Sequence, residues 1–193
     1  MPLMLIETER TPNPATRKFL PGRTVMESGG RDFPNADAAE ASPLASALFA
    51  TDMVDGVYFG RDFISVSAAP TVEWEVLEPE ILGLLLDYFT LGAPLFAQGS
   101  ASGIEIDPPA MFEDDPADAD IVDQIKELIE TRVRPAVAQD GGDIVYRGYK
   151  DGTLYLAMQG ACAGCPSSAI TLKRGIEGLI KHYVPEVENV EAV

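Results

Sequence analysis

The spacing of apolar positions changes several times along this chain, and each change predicts an element. Leu3 to Thr8 reads as a strand, and Thr11-Pro12-Asn13-Pro14 is turn punctuation ahead of Lys18-Phe19-Leu20-Pro21-Gly22. Ser42 followed by Pro43 marks a helix start, with Leu44, Leu48 and Phe49 as the apolar face. Val57-Tyr58-Phe59 and Phe63-Ile64-Ser65-Val66 predict a hairpin across Gly60-Arg61-Asp62, where Gly60 is available for an unusual backbone angle. Leu82, Leu85, Leu86 and Phe89 then predict an amphipathic helix from Pro79 to Leu91, lying on that sheet.

After a gap the helical period returns. Ile121, Ile125, Leu128, Ile129, Val133 and Val137 predict a helix from Asp120 to about Ala138, bent near Pro135. Asp140-Gly141-Gly142-Asp143 ends it as a helix cap and turn. Ile144 to Tyr149 and Leu154 to Met158 follow as strands joined at Asp151-Gly152, a strong hairpin signal. Ile170, Leu172, Ile176, Leu179 and Ile180 place a last helix up to about Tyr183, and Val187 to Val190 reads as a short strand. The expected fold class is α+β, as two small α+β domains.

Charge sharpens the division. The chain has 193 residues and a net charge of -17, from 31 acids and 14 bases. Residues 1–98 hold 14 acids and 6 bases, residues 99–120 hold 7 and 0, and residues 121–193 hold 10 and 8. The middle piece, with Gly99, Gly103, Pro108, Pro109, Pro116 and the run Glu113-Asp114-Asp115, reads as an acidic linker. As a flexible coil it would span on the order of 25 Å. So acidic a chain repels nucleic acid and anionic membrane surfaces, and neither is expected as a partner. The longest apolar stretch, Ile81 to Ala97, is broken by Gly83, Asp87, Gly92 and Pro94, so no membrane span is expected. The first ten residues resemble neither a secretory nor a transit peptide. With two cysteines in all, a cytoplasmic location is the expectation.

Those two cysteines, Cys162 and Cys165, fall between a strand and a helix, with Pro166 at the first helical position. Cys165 would lie near the helix N-terminus, where orphan N–H groups favour thiolate over thiol. Gly160 and Gly164 let the loop fold tightly enough for two sulfurs to converge, and neither cysteine is expected to fill a core. Several readings stand side by side. Thiol–disulfide exchange suits a C-x-x-C pair, but only 28 residues follow Cys165, too few for a thioredoxin-like fold. Structural zinc wants four ligands, and the chain adds only His182, more simply a solvated or packed side chain. An iron–sulfur cluster needs four thiolates, which two chains would supply. The plain alternative is two ordinary cysteines in a tight turn. Ser167 and Ser168 read as first-turn caps, and Trp74 as either an exposed docking aromatic or a residue at the edge of the core.

Arg134-Pro135, Asp140-Gly141-Gly142-Asp143, Gly160-Ala161-Cys162-Ala163-Gly164-Cys165-Pro166-Ser167-Ser168, Thr171-Leu172-Lys173 and Gly175-Ile176-Glu177 together closely resemble the C-terminal domain of NifU-like (Nfu-type) iron–sulfur cluster scaffold and carrier proteins. Thr11-Pro12-Asn13-Pro14, Lys18-Phe19-Leu20-Pro21-Gly22 and the hairpin from Val57 to Val66 resemble the N-terminal Nfu domain of the same family. The resemblance implies a non-enzymatic carrier that holds a 4Fe-4S cluster between the C-x-x-C pairs of two subunits and passes it to apo iron–sulfur enzymes. It makes Cys162 and Cys165 the cluster and iron ligands, the loaded form a homodimer, and an upstream assembly scaffold the cluster's source. It gives residues 1–98 target docking and residues 121–193 cluster binding. A dithiol–disulfide oxidoreductase using the same pair is the alternative.

Overall fold

A computed structural model describes residues 5–97, 110–111, 113–163 and 166–193, without the side chains of 166–169. The chain divides into two compact units, Met1–Glu105 and Ile106–Val193, each with helices and a sheet as expected. Among the described residues no helix is long and apolar enough to cross a membrane.

In the first unit five antiparallel strands, β1 (Glu7–Arg10), β2 (Thr16–Leu20), β3 (Arg31–Phe33), β4 (Val54–Phe59) and β5 (Ile64–Ala68), lie in the order β1-β2-β5-β4-β3. The helices are α1 (Ala36–Ala39), α2 (Pro43–Phe49) and α3 (Trp74–Leu91). Phe19, Phe33, Val57, Phe59, Ile64 and Val66 point to the helical side and form one core with Leu44 and Leu48 of α2 and Leu77, Ile81, Leu85 and Phe89 of α3. On the alternate positions Glu9, Lys18, Ser65, Tyr58 and Asp32 stand opposite one another across all five strands. That polar row explains why β2 is silent in the sequence: its only large apolar inward residue is Phe19, beside an inward Arg17 held by Glu78 and Trp74.

Three expectations shift. The first strand is Glu7–Arg10 rather than Leu3–Thr8: as an edge strand it is largely exposed, so apolar residues do not mark it, and residues 1–4 lie outside the described ones. The long helix begins at Trp74, not Pro79, because the proline removes one N–H inside a helix that otherwise continues. Gly60 is needed for space, not for its backbone angle: a Cβ there would stand 2.3 Å from the ring of Phe63. Trp74 is a core-edge residue, its Nε1–H donating to the carbonyl of Pro14 at 3.1 Å and its ring tilted on Phe19.

The second unit has the sheet β6 (Gly142–Lys150), β7 (Thr153–Gly160) and β8 (Asn189–Ala192), in the order β6-β7-β8. The β6–β7 pairing is antiparallel and the β7–β8 pairing parallel. Asp151 and Gly152 make the expected hairpin turn, with φ of 49° and 75°, the left-handed pair a two-residue hairpin requires. The expected helix is α4 (Ala119–Leu128), one widened turn at Ile129–Val133, and α5 (Arg134–Gln139). The irregularity thus comes just before Pro135, which cannot donate to the carbonyl four residues back. The wider turn also keeps Ile125, Ile129, Val133 and Val137, four residues apart, on one buried face. The last helix, α6, is Pro166–Tyr183, and β8 begins two residues later than the expected strand.

Contact with this unit begins ahead of α4. The Met111 N–H donates to the carbonyl of Arg147 at 2.7 Å, and the Asp114 carboxylate accepts from Tyr146 Oη at 2.6 Å and from the Tyr149 N–H at 3.1 Å. Burial, then the Asp114 carboxylate, holds the Tyr146 phenol well above its usual range. Of the stretch expected as linker, residues 99–109 and 112 lie outside the described ones.

Ser42 gives a measurable check on the first unit. Its buried hydroxyl caps α2, accepting from the Ala45 N–H at 3.2 Å, and donates to the carbonyl of Leu95. Ser42→Ala is expected to cost about 1 to 2 kcal/mol, read by urea unfolding through the fluorescence of Trp74, the only tryptophan.

Candidate functional site

The loop that carries the cysteines is built by two backbone turns meeting where β6 and β7 pair. At the end of α5, Asp140 and Gly141 donate to the carbonyls of Val137 and Ala138, both at 3.1 Å, and Gly141 takes a φ of 79°. This is the expected helix cap. Its outward group is the Gly141 carbonyl, which accepts from the Ala161 N–H at 3.1 Å. Across the ladder Gly142 pairs with Gly160, whose φ of 62° turns the chain out of β7 so that the Ala163 N–H reaches the Gly160 carbonyl at 3.0 Å.

Cys162 stands inside that turn. It is 6% exposed and belongs to the core of its unit, which corrects the expectation that neither cysteine fills a core. A Cβ on Gly142 would lie 2.2 Å from its sulfur and 3.0 Å from both the Cys162 nitrogen and the Gln159 carbonyl. Gly142 lacks a positive φ, so its glycine is required by the sulfur and not by the backbone. The sulfur therefore sits in a cradle that any larger residue would fill.

Cys165 and Gly164 lie outside the described residues, as do the side chains of Ser167 and Ser168. The backbone of α6 begins at Pro166, directly after the pair, so the helix N-terminus falls where the sequence places it. His182 is exposed near the other end of α6, roughly 24 Å along the axis from Pro166 at 1.5 Å per residue. That separation removes the one extra ligand available to a zinc reading. Among the described residues no three His, Cys, Asp or Glu side chains group as metal ligands.

Sequence reasoning assigned no role to the ion pair behind this turn. Asp143 follows Gly142 in β6, is buried, and receives Arg134 in a two-pronged contact: Nε to Oδ1 at 2.9 Å and Nη2 to Oδ2 at 2.7 Å. Asp143 Oδ1 also accepts the Ile144 N–H at 2.8 Å, and Arg134 Nη1 reaches the exposed Glu130 at 2.6 Å. The hydrogen bond to Asp143 pushes the guanidinium's already high pKa higher still, and the two-pronged contact bolts α5 to the start of β6. The signal was present in the sequence: an acid heading the apolar run Ile144-Val145-Tyr146 must find a partner if it is buried.

The chain matches known families in both units. Residues 6–92 match the family described as "Scaffold protein Nfu/NifU N terminal", and residues 125–191 match "NifU-like domain". The chain is 48% identical over 190 residues to "NifU-like protein 5, mitochondrial" of Arabidopsis thaliana, covering 97% of this chain and 67% of that protein. The figures for "NifU-like protein 4, mitochondrial" of the same plant are 48%, 97% and 65%. It is 45% identical over 191 residues to the human "NFU1 iron-sulfur cluster scaffold homolog, mitochondrial", covering 98% and 72%. The chain thus spans about two thirds of the length of the plant relatives. Their names correct the cytoplasmic expectation and point to the mitochondrion. A low cysteine count argues only against an oxidising compartment and does not distinguish one reducing compartment from another.

Two substitutions probe the turn. Gly142→Ala should expel the Cys162 sulfur, cost on the order of 1 to 3 kcal/mol, and speed Cys162 labelling by a thiol reagent in a Cys165→Ser background; equal labelling rates would show that Gly142 does not hold the sulfur. Asp143→Asn leaves Arg134 only the exposed Glu130 as counter-charge and should cost about 1 to 3 kcal/mol, measured as a lower unfolding midpoint of the full chain.

Proposed function

This chain belongs to the Nfu-type family of NifU-like proteins, and from that premise we propose that it is an iron–sulfur cluster scaffold that carries a 4Fe-4S cluster and delivers it to apo-proteins. Cys162 and Cys165 are the ligands in this reading. The observation that carries it is the Cys162 sulfur, seated against Gly142 at the end of β7, one short loop ahead of the N-terminus of α6.

The donor chemistry fits such a cargo. A cubane cluster takes four thiolates, and one chain offers two, so two chains meet at the cluster in an isologous pair. The α6 N-terminus contributes the positive end of its dipole, which favours the thiolate form that binds iron. Gly142 keeps the space beside Cys162 clear, and the Arg134–Asp143 pair keeps Gly142 in place. Two ligands per chain leave the cargo shared and exchangeable: thiolates of a recipient can replace those of the carrier one at a time. The role is binding and transfer, with no substrate turned over.

In the same reading the two units divide the work. Residues 121–193 hold the cluster, residues 1–98 dock the recipient, and the acidic stretch between them, up to where Met111 and Asp114 join the second unit, tethers the two and raises the effective concentration of cluster at the acceptor. An upstream assembly scaffold supplies the cluster.

Anaerobic reconstitution of the full chain with iron and sulfide, followed by native mass spectrometry, tests this directly. One 4Fe-4S cluster per two chains is expected, and Cys165→Ser should abolish it. A metal-free monomer that closes a Cys162–Cys165 disulfide would instead support dithiol chemistry and end the carrier reading.

A further inference from the structure

Helix α3 carries apolar residues on two sides, and among the described residues only one side packs into a core. Leu77, Ile81, Leu85 and Phe89 face the core. Turned away from it, Val76 is 59% and Leu86 41% exposed, and Leu91 at the helix end is 82% exposed. A surface helix ordinarily pairs its apolar stripe with a polar opposite face.

The outward positions fall into lines along the helix, because residues seven apart stand nearly above one another. Val76, Gly83 and Thr90 form one line, Pro79 and Leu86 a second beside it, and Glu80 and Asp87 a third along the edge. A narrow strip running along a helix is a surface that a second helix can cover. From Val76 to Thr90 the seam runs about 21 Å. At its middle is Gly83, where a Cβ would meet nothing within 4 Å and the φ is ordinary. Nothing among the described residues requires glycine there, and glycine weakens a helix interior relative to alanine. A smooth midpoint serves the close approach of something outside the chain.

Charge selects what approaches. Trp74–Leu91 contains Glu75, Glu78, Glu80 and Asp87 and no lysine or arginine. Glu78 is bound to Arg17, whereas Glu75, Glu80 and Asp87 are exposed and rim the seam. A second copy would set these acids against themselves across a two-fold axis, and an anionic bilayer would be repelled. We propose that the outer face of α3 is a docking seam for a basic amphipathic helix of a partner protein. The apolar stripe of that helix packs along Val76, Gly83 and Leu86, and its lysines or arginines meet Glu75, Glu80 and Asp87. This rests on the docking role proposed above for the N-terminal unit and specifies its partner's chemistry.

The test uses the full chain and a fluorescent synthetic helix of leucines flanked by lysine and arginine, with a glutamate-flanked helix as control. Anisotropy should show binding of the basic helix alone, weakening as salt rises. Leu86→Asp and Gly83→Leu should each weaken it about tenfold or more, the first despite adding negative charge. Unchanged affinity in both variants would mean attraction to net charge alone and overturn the seam. So would a dimer of the cluster-free wild-type chain in sedimentation that Leu86→Asp dissociates, since the occupant would then be a second copy. Both variants should reconstitute with wild-type iron and sulfide. Low iron in the wild-type chain with intact peptide binding would count against the carrier reading and leave the seam standing.

Discussion

Only a hydrogen on Gly142 separates the start of β6 from the sulfur of Cys162, and the second unit is arranged around that approach. Gly141 ends α5 in a left-handed turn, Gly142 opens β6 opposite Gly160, and Gly160 turns β7 toward the cysteines. Each glycine serves a different need: two reverse the backbone, and the third makes room. Packing at native density leaves no slack at such a point, so a single methyl group is felt.

A contact this close needs a rigid mount. Arg134 reaches from α5 to Asp143, the residue after Gly142, and the carboxylate also takes the Ile144 N–H. A buried pair of this kind contributes less to net stability than to geometry, because much of its Coulomb attraction offsets desolvation. What it secures is the position of β6 against α5, and with it the wall of the cysteine turn. Two cysteines alone would be a weak indication of metal chemistry. A sulfur seated against a glycine, beside a strand braced by a buried ion pair and just ahead of a helix N-terminus, suits the ligand role proposed for Cys162.

The first unit is organised by different physics. Its sheet divides into an apolar face under α2 and α3 and a polar row running across all five strands. Residues 1–98 contain no cysteine, and the long helix keeps apolar side chains and carboxylates on its outer side. Those features suit recognition more than chemistry, in keeping with the docking role proposed for this unit.

The sequence by itself determined whatever depends on neighbours along the chain. The Asp151-Gly152 turn, the Ser42-Pro43 helix start, the cap at Asp140-Gly141, the amphipathic face from Ile125 to Val137 and the placing of the cysteine pair before α6 all follow from local backbone preference and periodicity. Only the tertiary structure decided the rest, because it depends on atoms far apart in sequence. The strand β2 shows a single large apolar inward residue and becomes a strand through pairing with β1 and β5. The helix α3 continues through Pro79 because burial of Leu77 and Ile81 outweighs one missing hydrogen bond. Gly60 and Gly142 look like turn glycines in the sequence and prove to be gaps, one for a phenyl ring and one for a sulfur, since no local rule reveals which side chain will arrive there.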